Sequence, residues 1–136
     1  KRPDVKAVVH AHPMYATSFA IAGKPLMDPI MPEAVISLGG VPLAKYGTPG
    51  TMEVPDSIEG FLDDYDAVLL ENHGALTYSD SLLNAYYKME SVEFYARLMY
   101  QAQMLGGAKI IPPEKVEELY ETRRRMNVVG RHPAVK

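Results

Sequence analysis

Three of the four histidines have the residue type and spacing to hold a metal ion. His10 and His12 are separated by one alanine. In a strand, residues i and i+2 project from the same face about 7 Å apart. Two ring nitrogens at that spacing can converge on one cation at about 2.0–2.1 Å each. The pair alone also fits two ordinary histidines. His73 follows 61 residues after His12, in Glu71-Asn72-His73-Gly74, directly behind the apolar run DAVLLEN at 66–72. Gly74 permits a sharp exit from that run, which puts the His73 ring at a strand's carboxyl end, where open-sheet sites form. Three imidazoles at strand ends are the inventory of a catalytic centre with one coordination position open. The chain has no cysteine, so a metal site must be built from His, Asp and Glu. Disulfides, zinc ribbons, iron–sulfur clusters and thiol catalysis are excluded.

The elements that position these residues can be read from patterning. The Val-rich run at 5–12 alternates as a strand does and is stopped by Pro13. Residues 13–22 read as a short helix with proline first and Gly23 beyond its end. Residues 25–32 form a loop with three prolines, 33–38 a short helix or turn, and 41–45 a second strand. Residues 47–53 are a turn-rich loop and 57–63 a short helix. The run 66–72 is apolar in its middle and therefore a central strand. Ser79–Ser81 cap a long helix over 82–105, ended by Gly106-Gly107. Its apolar positions wrap most of the circumference, which calls for cover on several sides, a second subunit included. A last helix spans 112–126, with Arg123, Arg124 and Arg125 at its negative dipole end. Strands and helices alternate loosely, so the fold class is α/β.

The 136 residues fit one domain. Hydrophobic residues make up 47% and charged residues 23%, which excludes disorder and collagen-like repeats. With 14 Lys+Arg against 17 Asp+Glu, the net charge of −3 carries no footprint for nucleic acid. No apolar signal core follows the first residue, and Lys88, Glu90, Glu93 and Arg97 interrupt the most apolar long stretch, so no membrane span is expected. A cytoplasmic location is the default expectation. The chain opens with Lys1 immediately before a core strand, so upstream sequence is expected. Gly47–Gly50 lacks the lysine and the following helix of a phosphate-binding P-loop.

At this point VVHAHP, LLENHG and the Gly39-Gly40 stretch running into GTPGT resemble the class II aldolase/adducin family, over nearly the whole chain. The resemblance implies a three-layer α/β/α fold with a central, mainly antiparallel sheet. It implies one domain over 1–136, the C-terminal two-thirds of the family's domain. It implies a divalent cation, usually Zn2+ with Mn2+ or Co2+ as alternatives, held by His10, His12 and His73. The family's fourth ligand, a glutamate that doubles as proton-transfer base, would precede Lys1, as would most phosphate-binding residues. The chain alone is therefore not expected to be competent. The implied activity is metal-dependent cleavage of a phosphorylated ketose such as L-fuculose 1-phosphate into dihydroxyacetone phosphate and an aldehyde, in a homotetramer. An L-ribulose-5-phosphate 4-epimerase of the same fold and a non-enzymatic, adducin-like interaction domain stay open. Three imidazoles leave a cation's charge largely uncompensated, as a Lewis acid requires.

Lesser candidates surround this trio. Glu33 stands where relatives place a second acid–base group, a tyrosine in the fuculose enzyme; it equally fits a solvated helix-start carboxylate. Glu71 is expected on the face that carries His73, orienting a ligand from behind, and Asn72 in the turn's backbone. His132 and Arg131 suit a tail that closes over a neighbouring subunit's site, or plain exposure. Tyr86, Tyr87, Tyr95 and Tyr100 are expected in core or interface packing, and the arginine run in solvent.

Overall fold

The Val-rich segment before His12 forms β1 (Ala7–Ala11), and the apolar run behind which His73 stands forms β3 (Ala67–Leu70). The computed structural model, which describes residues 1–134, adds a two-residue strand β2 (Leu43–Ala44) and a strand that patterning does not reveal, β4 (Gly74–Ser79). The strand order is β1-β4-β3-β2. β4 pairs antiparallel with β1 and β3, while β2 runs parallel to β3, so the sheet is mixed and mainly antiparallel. The segment GALTYS opens on glycine and closes on serine, both common in turns. Its strand character comes from pairing on both edges, a tertiary property.

All four residues of β3 are buried because both sheet faces are covered. Ala67 and Leu69 face the larger cluster, with Ala16, Phe19 and Ala20 of α1 (Met14–Ile21), Ala34 of α2 (Pro32–Ser37), and Met89, Val92, Tyr95, Ala96 and Met99 of α4 (Leu82–Met104). Val68 and Leu70 face the other way, with Ala44 and Leu76, against Val54 and Ile58 of α3 (Glu53–Ile58) and Phe61. These are the three layers of an α/β/α domain. Helix α3 starts earlier than patterning places it. The Glu53 carboxylate accepts the Thr48 N–H at 2.8 Å, Thr51 Oγ1 accepts the Glu53 N–H at 3.2 Å, and the chain tightens into a 3-10 turn over Glu59–Phe61.

Helix α4 begins as its sequence suggests, with the Ser81 hydroxyl accepting the Asn84 N–H at 3.2 Å. Only one side of it is covered: Tyr95 is buried, whereas Leu83, Tyr86, Tyr87, Phe94 and Tyr100 stay exposed. Among the described residues, no helix is long and apolar enough to cross a membrane.

The last helix, α5 (Pro113–Arg125), corrects the expectation for its arginines. Arg124 and Arg125 are exposed, but Arg123 is buried. Its guanidinium donates to the carbonyls of Ile36 at 2.5 Å and Gly130 at 3.1 Å, pinning the tail against α2. Carbonyls stranded where a helix or strap ends need donors, and a planar fork reaches several at once. His132 is likewise no mobile group. It is fully buried, and both ring nitrogens are used by the neutral form: Nε2–H donates to the Val35 carbonyl at 2.7 Å, and Nδ1 accepts the Ala134 N–H at 3.2 Å. Arg131 remains exposed.

Burial is the main reason the His132 imidazole titrates below the ordinary 6.5; the Val35 carbonyl and Asp66 pull it up, and Arg123 and Arg124 push it down. Below pH 6.5 the unfolded imidazole takes a proton that the folded one still refuses. The His132 contribution to stability is therefore whole above that value and is lost as the pH falls beneath it. Calorimetry from about pH 7.5 to 5.5 should show a steeper fall of melting temperature in the wild type than in His132→Asn. Equal slopes would remove His132 from the account.

Candidate metal centre

β1 and β3 both run antiparallel to β4, so they point the same way, and their carboxyl ends meet the first residue of β4 at one rim of the sheet. That topology closes the 61-residue gap between His12 and His73. His10 lies within β1, and His12 is the first residue beyond it. His73 ends the three-residue turn 71–73 between β3 and β4. This turn closes by the His73 N–H donating to the Leu70 carbonyl at 3.0 Å, with Asn72 in the left-handed region at φ 55°. Asparagine tolerates that conformation better than most side chains, so Asn72 does fix the turn. Gly74 is required for a different reason from a sharp exit: a Cβ there would lie 2.6 Å from both the Ala11 carbonyl oxygen and His12 Cδ2.

The three imidazoles face one another. Ring centroids are 4.9 Å apart for His10 and His12, 4.7 Å for His10 and His73, and 5.1 Å for His12 and His73. One nitrogen from each lies within 4.8 Å of the others, and His10 Nε2 is 3.1 Å from His12 Nε2. Bonds of 2.0–2.1 Å set a tetrahedral edge of about 3.3 Å, so the His10 and His12 nitrogens stand near ligand separation and His73 completes the group within 4.8 Å. His10 Nδ1–H donates to the Ala75 carbonyl at 3.0 Å, which fixes the tautomer and leaves the Nε2 lone pair inward. Burial, followed by the His10 and His12 rings, pushes the His73 imidazole below 6.5 and keeps it neutral at pH 7. Three imidazoles at this spacing and no thiolate suit a borderline divalent cation.

Among the described residues, no carboxylate joins this cluster. Glu71 does not stand behind a histidine: its Oε2 accepts the Tyr46 N–H at 2.9 Å and ties the end of β2 to the turn. Glu33 is exposed on α2 and lines a groove with Met31, Ser37, Ser91 and Phe94 in the helical layer of the larger cluster. His10 projects from the opposite face, beside Leu76, its partner across the β1–β4 pair. Sequence reading overlooks the Ala75 carbonyl, because every residue type carries one and only β4 brings this one to His10.

Comparisons with known proteins find relatives in both sequence and fold. A solved L-fuculose 1-phosphate aldolase superposes with a TM-score of 0.83 at 32% identity, covering 91% of this chain and 58% of its own. A 5-deoxy-D-ribulose 1-phosphate aldolase of Bacillus thuringiensis serovar kurstaki is 34% identical over 120 residues, 88% of this chain and 55% of the relative. A 3-oxo-tetronate 4-phosphate decarboxylase of Escherichia coli K12 is 32% identical over 102 residues, 72% of this chain and 48% of the relative. The chain thus spans about half the length of the curated relatives it matches. Residues 1–100 match the sequence model described as the Class II Aldolase and Adducin N-terminal domain. The chain is a member of the class II aldolase and adducin family.

Proposed function

We propose that this chain carries the metal-binding half of a divalent-metal-dependent lyase that cleaves a phosphorylated ketose, such as L-fuculose 1-phosphate, into dihydroxyacetone phosphate and an aldehyde. The observation behind this reading is the convergence of the His10, His12 and His73 ring nitrogens within 4.8 Å. Zn2+ suits three neutral imidazoles, with Mn2+ or Co2+ as alternatives. When bound, the cation supplies Lewis-acid polarisation of a substrate carbonyl. The chain's own part is to hold three rings in register. The Ala75 carbonyl orients His10, the turn 71–73 presents His73, and the glycine at 74 leaves room for His12.

Cleavage breaks the carbon–carbon bond between the carbon beside the carbonyl and its hydroxyl-bearing neighbour. The hydroxyl proton passes to a base, and the electron pair stays on the carbonyl fragment until that carbon is reprotonated. Aldol cleavage and decarboxylation of a 3-oxo acid share the demand to stabilise this anion, and relatives are named for both. The main base and the phosphate cradle belong, in this proposal, to residues outside this chain. Glu33 is kept as a second proton-transfer group; because it stands on the other side of its own sheet, that role requires the site of a neighbouring copy, and this reading includes a cytoplasmic homo-oligomer, a tetramer. The uncovered side of α4, with Leu83, Tyr87 and Phe94 exposed, supports such an assembly.

The test is to assay full-length protein for metal and then to incubate it with each sugar phosphate. A released aldehyde identifies a lyase, and a changed sugar without fragments identifies an epimerase. Less than about 0.2 metal per chain, with no turnover on added Zn2+, points instead to an interaction domain. Glu33→Gln should lower kcat by about 10²-fold with metal content unchanged. Undiminished kcat would release Glu33 from that role.

A further inference from the structure

The strand-to-helix junction that carries His12 is held from an unexpected direction. Helix α1 follows Pro13, which has no side-chain donor or acceptor, and α1 has no acidic residue in its first turn. Its free N–H groups would ordinarily want a local cap. They receive a distant one: Glu93, in the middle of α4, accepts the Tyr15 N–H on Oε1 at 3.0 Å and the Ala16 N–H on Oε2 at 2.8 Å. A carboxylate at a helix's positive end, bonded through both oxygens, is a charge-assisted clamp. One turn further along α4, Arg97 lies over the Tyr15 ring, 5.8 Å from its centroid. Val92 and Ala96, flanking Glu93 on α4, are fully buried, so the clamp stands on a fixed base.

The clamp acts on His12 through a short, stiff stretch of backbone. Pro13 has φ −67° and ψ 142°, and a residue preceding proline is itself confined to extended conformations. On the other side, Ala11 is locked opposite Ala75 in the β1–β4 ladder. With β1 fixed on one flank and the start of α1 on the other, the His12 backbone has little freedom left.

We propose that Glu93 is a positioning residue for His12, holding its ring toward His10 and His73 by clamping the first turn of α1. The proposal rests on reading those three histidines as a metal site. Its test uses full-length protein, Co2+ alone as the probe, and three variants. Glu93→Ala removes the clamp, Glu93→Gln keeps one acceptor oxygen, and Ser81→Ala removes the cap at the start of α4, on the same helix but twelve residues before Glu93.

Glu93→Ala should weaken Co2+ binding at least about tenfold and alter the visible spectrum of the bound ion, with Glu93→Gln in between. Ser81→Ala should lower the melting temperature yet leave Co2+ affinity within about twofold of wild type. In metal-free protein, the His12 ring resonances should shift in the Glu93 variants and stay in place in Ser81→Ala. If Glu93→Ala does not fold, Glu93→Gln carries the same readings. Wild-type Co2+ affinity and unmoved His12 resonances in a folded Glu93 variant would overturn the proposal. A wild type that binds no Co2+, but whose His12 resonances still answer to Glu93, would refute the metal reading and leave the positioning role standing.

Discussion

Replacing His73 with alanine should abolish metal retention while leaving the fold largely intact. His73 is one of three converging imidazoles, and the two remaining rings, one in β1 and one just past its end, give a cation neither a third direction nor enough binding energy. The fold loses little. His73 is half-buried in a turn whose closing bond runs from its backbone N–H to the Leu70 carbonyl, and alanine keeps that bond. Side-chain loss at such a site costs about 1 kcal/mol or less. Two measurements check this. Metal analysis after mild purification should fall from near one ion per chain to background. Chelator should lower the wild-type melting temperature but not the variant's, because only a folded state that binds metal gains stability from it. Full occupancy in His73→Ala would end the ligand assignment and the lyase proposal with it.

The second large effect lies far from the histidines. Asp66→Ala should cost about 3–5 kcal/mol of stability. Asp66 is 3% exposed and accepts from Arg2 Nη2 at 2.8 Å and Lys88 Nζ at 2.5 Å, both cations being largely buried themselves. Among the described residues no other anion bridges them, so its removal leaves the desolvated Lys88 amine without that partner and Arg2 with Asp4 alone. The Arg2 guanidinium titrates above its ordinary value, chiefly through Asp4 and then Asp66, and it holds Asp4 down at about 2. Asp4 lies at the surface and cannot replace Asp66 beside Lys88. The damage should spread to the tail, since Gly130 packs directly on the Asp66 carboxylate and the Lys88 amine. Urea denaturation of Asp66→Ala measures the cost. Arg124→Ala, which breaks the exposed pair with Glu121, serves as a reference with a change within about 0.5 kcal/mol. Similar midpoints for the two variants would show the buried cluster to be energetically idle.

Much of the architecture was legible because it rests on local signals. Proline before α1 and α5, Ser81 before α4 and the apolar run of β3 are chemical statements that neighbouring residues make by themselves. β4 was not legible, since its strand character comes from β1 and β3 on either side. The buried charges were not legible either. Lys88 reads as a break in an apolar helix until Asp66 is seen opposite it, and Arg123 reads as a solvated helix end until the tail folds across it.

The candidate site divides in the same way. The amino-acid sequence by itself determined the donor set: one His-x-His pair, one more histidine behind an apolar strand, and no cysteine to compete. Residue type fixes which atoms can bind a cation, and that chemistry needs no fold. Only the tertiary structure decided that the three rings meet. Two strands separated by more than fifty residues share a direction because both pair antiparallel with β4, and that common neighbour puts their carboxyl ends on one rim. It also decided where the candidate carboxylates stand. Glu71, in the turn behind β3, goes to the Tyr46 amide, and Glu33 rides on α2 in the layer that covers the sheet face opposite His10.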